Sequence, residues 1–259
     1  MSEAKRLRRP AEGGYARGDE TRLRIVAAAI DVFGERGFAA ASTREIAARA
    51  GVNAPALQYY FDNKEGVYRA CAEEIAEHVR ARFEPVLQRV RDVLADEDAD
   101  DERLIGAYLA LLEAVADKVF LTPHTPGTRL FFVREQMGQE PVIASQILHE
   151  RLREPLNQIG SALASRIGGT APDDPVTRIR MMGLHGQLAI FQMAPRTTLT
   201  MLGWDQFDAD RIALVKSTLL GQTRTLLTMW ARERDARVGD TQPAARAKRA
   251  TGATRARKR

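Results

Sequence analysis

Apolar residues recur along this chain at helical spacing almost from end to end, and no stretch alternates as a strand would. The first stripe is Leu23, Val26, Ala27, Ile30 and Phe33, in a helix that Asp19 can cap and Gly37 can end, with Phe38 beyond as a hydrophobic contact. Two shorter stripes follow, Ile46, Ala47 and Ala50, then Leu57 and Phe61. Asp62, partnered by Glu65, or Asn63 opens a fourth helix with Val67, Cys71, Ile75 and Val79 inside. Pro85 predicts a kink there, because the bond back to Ala81 is lost, before the helix resumes to about Leu94. An acidic run, Asp96 to Glu102, precedes a stripe of Leu104, Tyr108, Leu111, Leu112, Val115 and Val119. The proline-containing stretch 121–127 breaks the pattern. A short helix is expected over about 128–138, and a long one from Pro141 to about Ile167. Residues 168–175 read as a connector, followed by a helix over about 176–193, a break at Pro195, a short piece around 199–203 and a last helix over about 208–234. There is no internal repeat. The pattern predicts an all-α protein with a three-helix N-terminal module and a larger helical C-terminal domain.

Residues 42–64 are the most informative stretch. Ser42 and Glu45 have capping-box spacing, and Gly51 stands where a helix ends in a left-handed residue. Asn53 is a good N-cap for a second helix, whose first turn tolerates Pro55. With Leu57 and Phe61 turned inward, Ala54, Ala56, Gln58 and Tyr59 can point out. This is helix-turn-helix spacing, with a second helix slim enough to enter a major groove. An ordinary corner between two helices carries the same pattern, so spacing alone leaves that alternative open.

Composition narrows the classes. The chain has 259 residues, one cysteine and a net charge of +5. Cys71 lies on an apolar helix face and suits a reducing compartment as a buried thiol. No apolar run approaches the roughly 20 residues of a membrane span, and no leader is visible, so a cytoplasmic location is expected. From Arg232 onward ten Lys/Arg stand against three Asp/Glu, so this end carries +7 and the rest about −2. Lys5, Arg6, Arg8 and Arg9 make a second basic end. Such ends attract phosphates without reading sequence, although many basic ends are only solvated. The expected divisions are a basic flexible arm at 1–18, the helix-turn-helix domain at 19–66, the helical body at 67–234 and a basic disordered tail at 235–259.

The run Thr43-Arg-Glu-Ile-Ala, with Ala50-Gly-Val-Asn53 and Leu57-Gln-Tyr-Tyr-Phe-Asp-Asn-Lys-Glu-Gly66, resembles the DNA-binding domain of the TetR family of bacterial transcriptional regulators. The resemblance covers about fifty residues, from Arg22 to Tyr68. The body segments Arg134-Glu-Gln-Met137, Gly183-Leu-His-Gly-Gln187 and Leu202-Gly-Trp-Asp205 further resemble a CerR-type C-terminal domain of one TetR subgroup. The resemblance assigns base reading to Arg44, Ala54, Pro55, Ala56 and Gln58, and phosphate anchoring to Thr43, Tyr59, Tyr60 and Lys64, with Asn53 at the turn. The chemistry agrees, since Arg can pair with guanine and Gln with adenine, while Ala and Pro offer only apolar contact. Many family members carry Tyr at position 58 and a polar residue at 56, so Gln58 and Ala56 leave base reading to fewer polar groups. Tyr60, beside Phe61, is equally suited to core packing.

The resemblance implies a homodimer on a palindromic operator, joined through helices 176–193 and 208–234. Ile179, Met182, Leu188, Ile190 and Phe191 on one, and Ile212, Val215, Leu219, Leu226, Leu227 and Trp230 on the other, are the interface candidates. It also implies a small organic effector held in the body, for which Tyr108, Phe131, Arg134, Glu135, Met182, His185 and Gln187 are candidates. Each is equally at home as ordinary core or as a satisfied interior polar group. The four histidines, His78, His124, His149 and His185, lack close metal-ligand spacing, and no nucleophile elbow, phosphate loop or carboxylate pair is present. Catalysis, a metal and a cofactor therefore have no support in the sequence. The expected function is a repressor released from its operator by that effector. The alternative is a sequence-tolerant DNA-compacting protein driven by its basic ends.

Overall fold

The computed structural model describes the backbone of residues 12–120, 126–138 and 140–256, and the side chains of 18–120, 127–138 and 140–239. Among the described residues every regular element is helical: α1 (Glu12–Ala40), α2 (Thr43–Arg49), α3 (Ala54–Tyr60), α4 (Lys64–Ala95), α5 (Asp101–Phe120), α6 (Pro126–Gln136), α7 (Val142–Leu148), a π-helical turn (His149–Arg153), α8 (Glu154–Gly168), α9 (Pro175–Met193), α10 (Pro195–Leu202) and α11 (Ala209–Ala256).

The chain forms two compact units. One comprises α1–α3, α4 as far as His78, α6 and α7; the other comprises α4 from Val79, α5 and α8–α11. The sequence reading divided the chain between residues 66 and 67 instead. α1 with the two short helices α2 and α3 leaves too little core, and the first unit completes it with Phe131 and Phe132 of α6 and Ala144, Ile147 and Leu148 of α7. Tyr68 is the centre of that core, with ring centroids 4.9 Å from Phe33, 5.1 Å from Phe38 and 5.0 Å from Phe131. Side chains of this size each stabilise by about 1.5–3 kcal/mol when fully buried. Burial also pushes the Tyr68 hydroxyl and the Cys71 thiol well above their ordinary pKa values.

The second unit packs α5 against α8, α9 and α11 around Tyr108, Leu111, Leu163, Ile167, Leu184, Leu227 and Trp230. Arg166 supplies its sharpest polar tie. Its guanidinium donates to the carbonyls of Val93, Leu94 and Asp96 at 3.3, 3.1 and 2.9 Å, closing the open end of α4.

Several expected boundaries moved, each for a local reason. α1 begins at Glu12 rather than near Asp19, so residues 12–18 of the expected flexible arm are helical, while 1–11 lie outside the described residues. Leu23 and Ala27 face solvent, and Ile25, Ala29 and Val32 take the interior places assigned to them. α4 runs through Pro85 as one helix. Pro85 and Ala81 both lie on the exposed side, so the freed carbonyl can turn to water. The helix expected over 141–167 is divided by the π-helical turn just before Pro155, whose missing N–H cannot complete an α-type rung. α11 continues to Ala256, through the segment read as a disordered tail, where Ala, Arg and Lys favour helix without any apolar stripe.

Candidate nucleic-acid interface

The sequence builds the helix-turn-helix through its caps. Ser42 Oγ accepts from the Glu45 amide at 3.1 Å, starting α2. The Glu45 carboxylate pairs with Arg36 at 2.7 Å, so the interaction here is a single cap with an added tie to α1. Gly51, at φ 67°, lets the Val52 amide return to Ala47 O at 2.9 Å. Asn53 Oδ1 then accepts from the Ala56 amide at 2.8 Å and starts α3, with Pro55 in its first turn. Leu57 and Phe61 are buried against Ile46 and Ala47 in the head core. That seating turns Ala54, Pro55, Gln58 and Tyr59 to solvent; Tyr59 is 84% exposed.

Beside this face Arg44 is exposed on α2, and Thr43 is half-buried. Arg49, one turn on, forks onto Glu35 of α1 at 2.8 and 2.9 Å, which holds the Glu35 carboxyl below its ordinary pKa. Tyr60 is half-buried and packs on the head core while touching Tyr59 edge-on at 5.2 Å, so it serves the packing that the sequence left open. Lys64 donates to Ala39 O at 3.2 Å and lies 4.5 Å from the Phe38 ring, leaving only part of its ammonium for another oxygen. Asn63, rather than Asp62, caps α4, accepting from the Gly66 amide at 2.8 Å.

The effector candidates fall in both units. Phe131, Arg134 and Glu135 belong to the first unit. Phe131 is core, Arg134 donates to the Gly34 and Glu35 carbonyls, and buried Glu135 accepts from Ser145 of α7 at 2.5 Å. Polar residues inside an apolar helix suit a ligand contact or an interhelix tie, and here Arg134 and Glu135 tie helices together. In the second unit Gln187 is spent on Thr223 at 2.9 Å. Met182 is exposed and lines a surface groove of about 540 Å³ between α8 and α9, with Ser161, Arg178 and Met181.

Tyr108 and His185 do meet, with ring centroids 5.9 Å apart. Tyr108 Oη and His185 Nε2 are both shielded from solvent and have no hydrogen-bond partner. Burial raises the Tyr108 hydroxyl and lowers His185 to about 4, so both are neutral at pH 7. His124 lies outside the described residues. The sequence reading missed an apolar pocket of about 240 Å³ lined by Phe191, Leu202, Trp204, Leu214 and Leu219. Phe207 stands beside it, 5.4 Å from Phe120 and 6.0 Å from Trp204. Its visible signals are the aromatics just past Gly203 together with Phe191 and Leu219, which the sequence reading assigns to the pairing surface.

Residues 25–71, which hold this head, match the family described as bacterial regulatory proteins, tetR family. Residues 104–229 match the C-terminal domain of the HTH-type transcriptional dual regulator CecR, the correct name for the type given above as CerR. The chain is 30% identical over 203 residues to that dual regulator from Shigella flexneri, a match covering 78% of this chain and 89% of that one. The chain belongs to the TetR family. As a TetR-family member it is a DNA-binding transcription regulator. Another relative is the HTH-type transcriptional activator FasR of Mycolicibacterium smegmatis, 34% identical over 151 residues, covering 56% of this chain and 62% of that one. A solved transcriptional regulator from Pseudomonas aeruginosa PAO1 shares the fold, with a TM-score of 0.52 at 14% identity over 80% of this chain and 91% of that one. Among the described residues no helix is long and apolar enough to cross a membrane.

Proposed function

We propose that this regulator is a cytoplasmic homodimeric repressor that binds an inverted-repeat operator and is released by a small organic effector. The observation that carries the reading is the outward face of α3. Gln58 and Tyr59 stand there with Ala54 and Pro55, with Arg44 exposed on the neighbouring helix, while Leu57 and Phe61 anchor the opposite side. Gln58 and Arg44 supply the bidentate groups, Ala54 and Pro55 meet thymine methyls, and Tyr59 and the remaining Lys64 hydrogens take phosphate oxygens.

One head covers too few base pairs to bind tightly, and two half-sites about 34 Å apart call for a symmetric pair. The outward apolar residues of α9, Val176, Ile179, Met182, Ile190 and Met193, and of α11, Leu214, Leu226 and Met229, support the pairing surface. Leu188, Ile212, Val215, Leu227 and Trp230, which the sequence placed there, are interior and belong to the core of the subunit. Phe191 and Leu219 are half-buried.

For the effector, the unpartnered Tyr108 Oη and His185 Nε2 are the favoured anchor. Two buried, unpartnered polar atoms each cost about 1–3 kcal/mol until paired, and an uncharged oxygen on an apolar body would satisfy either without burying a net charge. The test is a footprint across the region upstream of the protein's own coding sequence, with and without a panel of uncharged organic compounds, alongside sedimentation of the free protein. A protected inverted repeat, lost on adding one compound, is the expected result. A monomer at micromolar concentration with no preference over scrambled DNA would overturn the reading.

A further inference from the structure

The first helix is broken at Gly37, where φ is 76° and ψ 166°. An unbroken helix would direct the Phe38 amide to the Gly34 carbonyl, and breaking it frees that donor and that acceptor, with the Glu35 carbonyl beside them, to be satisfied elsewhere. Both are taken up by side chains from the α6–α7 segment. Arg134 Nε donates to Gly34 O at 2.8 Å and its Nη2 to Glu35 O at 3.2 Å, while the Phe38 amide donates to Glu140 Oε2 at 2.8 Å. One missing backbone rung is thus rebuilt from a guanidinium on one side and a carboxylate on the other. The carboxylate and the guanidinium close over Gly37: a Cβ there would lie 2.9 Å from Glu140 Oε1 and 3.1 Å from Arg134 Nη1.

The same few residues carry the polar ties to the helix-turn-helix. Glu35 holds Arg49 at the end of α2, Arg36 holds Glu45 at its start, and Ala39 O accepts from Lys64 at the start of α4. The setting of the break therefore fixes where both ends of α2 sit, and α3 follows across its turn.

We propose that Arg134 and Glu140 are positioning residues for DNA reading, which set the angle of the α1 break and through it the presentation of α3. This rests on the reading of α3 as the groove-entering helix. Neither residue lies on α2 or α3. The α6–α7 segment then belongs to the DNA-reading machinery as well as to its core.

The test uses the full chain, with an operator selected from random duplexes by the unaltered protein, and the variants Glu140→Ala, Glu140→Gln, Arg134→Ala and Arg134→Lys. Hydrogen exchange of the Phe38 amide reports on the splice itself. Loss of the acceptor in Glu140→Ala should speed that exchange and weaken operator binding about tenfold, whereas Glu140→Gln, which keeps an amide oxygen, should stay within about twofold of the original. Arg134→Ala should behave like Glu140→Ala, with Arg134→Lys between. Affinity for random duplex and its salt slope should not change, because the phosphate contacts are untouched. The proposal is overturned if Phe38 exchange accelerates with operator affinity unchanged, or if Glu140→Gln fails as badly as Glu140→Ala. Equal losses on operator and random DNA would overturn it too, since that marks a general loss of folded head. If the unaltered protein selects no preferred duplex, the reading of α3 fails instead, whatever the exchange of Phe38 shows.

Discussion

Lowering the pH from 7 to 5 puts a proton on His185 in the unfolded chain while the folded chain resists it. Burial beside Tyr108 holds the imidazole at about 4, against an ordinary 6.5. Above pH 6.5 the ring is neutral in both states and contributes no pH dependence. Between 6.5 and 4 the unfolded state binds more protons, so the free energy of unfolding falls as the medium is acidified; below 4 the loss is complete. At pH 5 the unfolded chain has gained 1.5 units of driving force, worth about 2 kcal/mol at 1.36 kcal/mol per unit, and about 3 kcal/mol is lost by pH 4. These are upper figures, because His185 as a whole residue is half-buried although Nε2 is shielded. Urea unfolding at pH 7, 6 and 5 of the parent and of His185→Phe would read the effect directly. Phe keeps a ring against Tyr108 and cannot titrate, and the carboxylates contribute alike to both proteins. The variant should lose less stability than the parent between pH 7 and 5, by up to about 2 kcal/mol. Identical slopes, or an imidazole titrating near 6.5 in the folded protein by NMR, would refute the reasoning.

Gln58→Ala should relax the preference for adenine at one position of each half-site by about 1–3 kcal/mol, measured by competition between operator variants. Lys64→Ala should instead weaken all sequences alike and reduce the salt slope by about 1 per head, measured on random duplex. Gly34→Ala would put a Cβ 2.0 Å from the Gly127 carbonyl oxygen, against backbone that no rotamer change can move aside. The α1–α6 crossing must open, and thermal unfolding should show a loss of about 3 kcal/mol, the upper end of overpacking costs. The Cys71 thiol, buried and pushed above its ordinary pKa, should be alkylated by iodoacetamide only at the rate at which the first unit opens; rapid labelling under native conditions would refute that burial.

The helix-turn-helix was legible because its signals are local. Ser42, Gly51, Asn53 and Pro55 each act within four residues, and all four do what their side chains or backbone freedom dictate. Leu57 and Phe61 also turned inward as their spacing required. Polar residues on apolar helices were ambiguous, because sequence shows that such a group needs a partner but not where the partner comes from. Arg134 found its acceptors about a hundred residues away, at a break whose carbonyls exist only once Gly37 has left the helical region. Glu140, which completes that site, drew no attention because it stands outside any periodic stretch. The interface stripes failed in part for a related reason. On α11 the apolar residues cover more than one face, and sequence alone does not say that Leu227 and Trp230 look inward while Leu226 and Met229 look out.

Seven residues make two turns of helix, and α3 has no more than that. A segment so short does not hold its shape in water by itself, and its persistence here depends on Leu57 and Phe61 remaining seated. Grafting it alone onto another scaffold would carry the letters without the page. The residues seated in the core and three that meet solvent on the opposite side are nevertheless different positions. Ala54, Gln58 and Tyr59 can be rewritten without touching the seat, so on the proposed reading of α3 descendants of this chain can acquire new operators while inheriting the same fold.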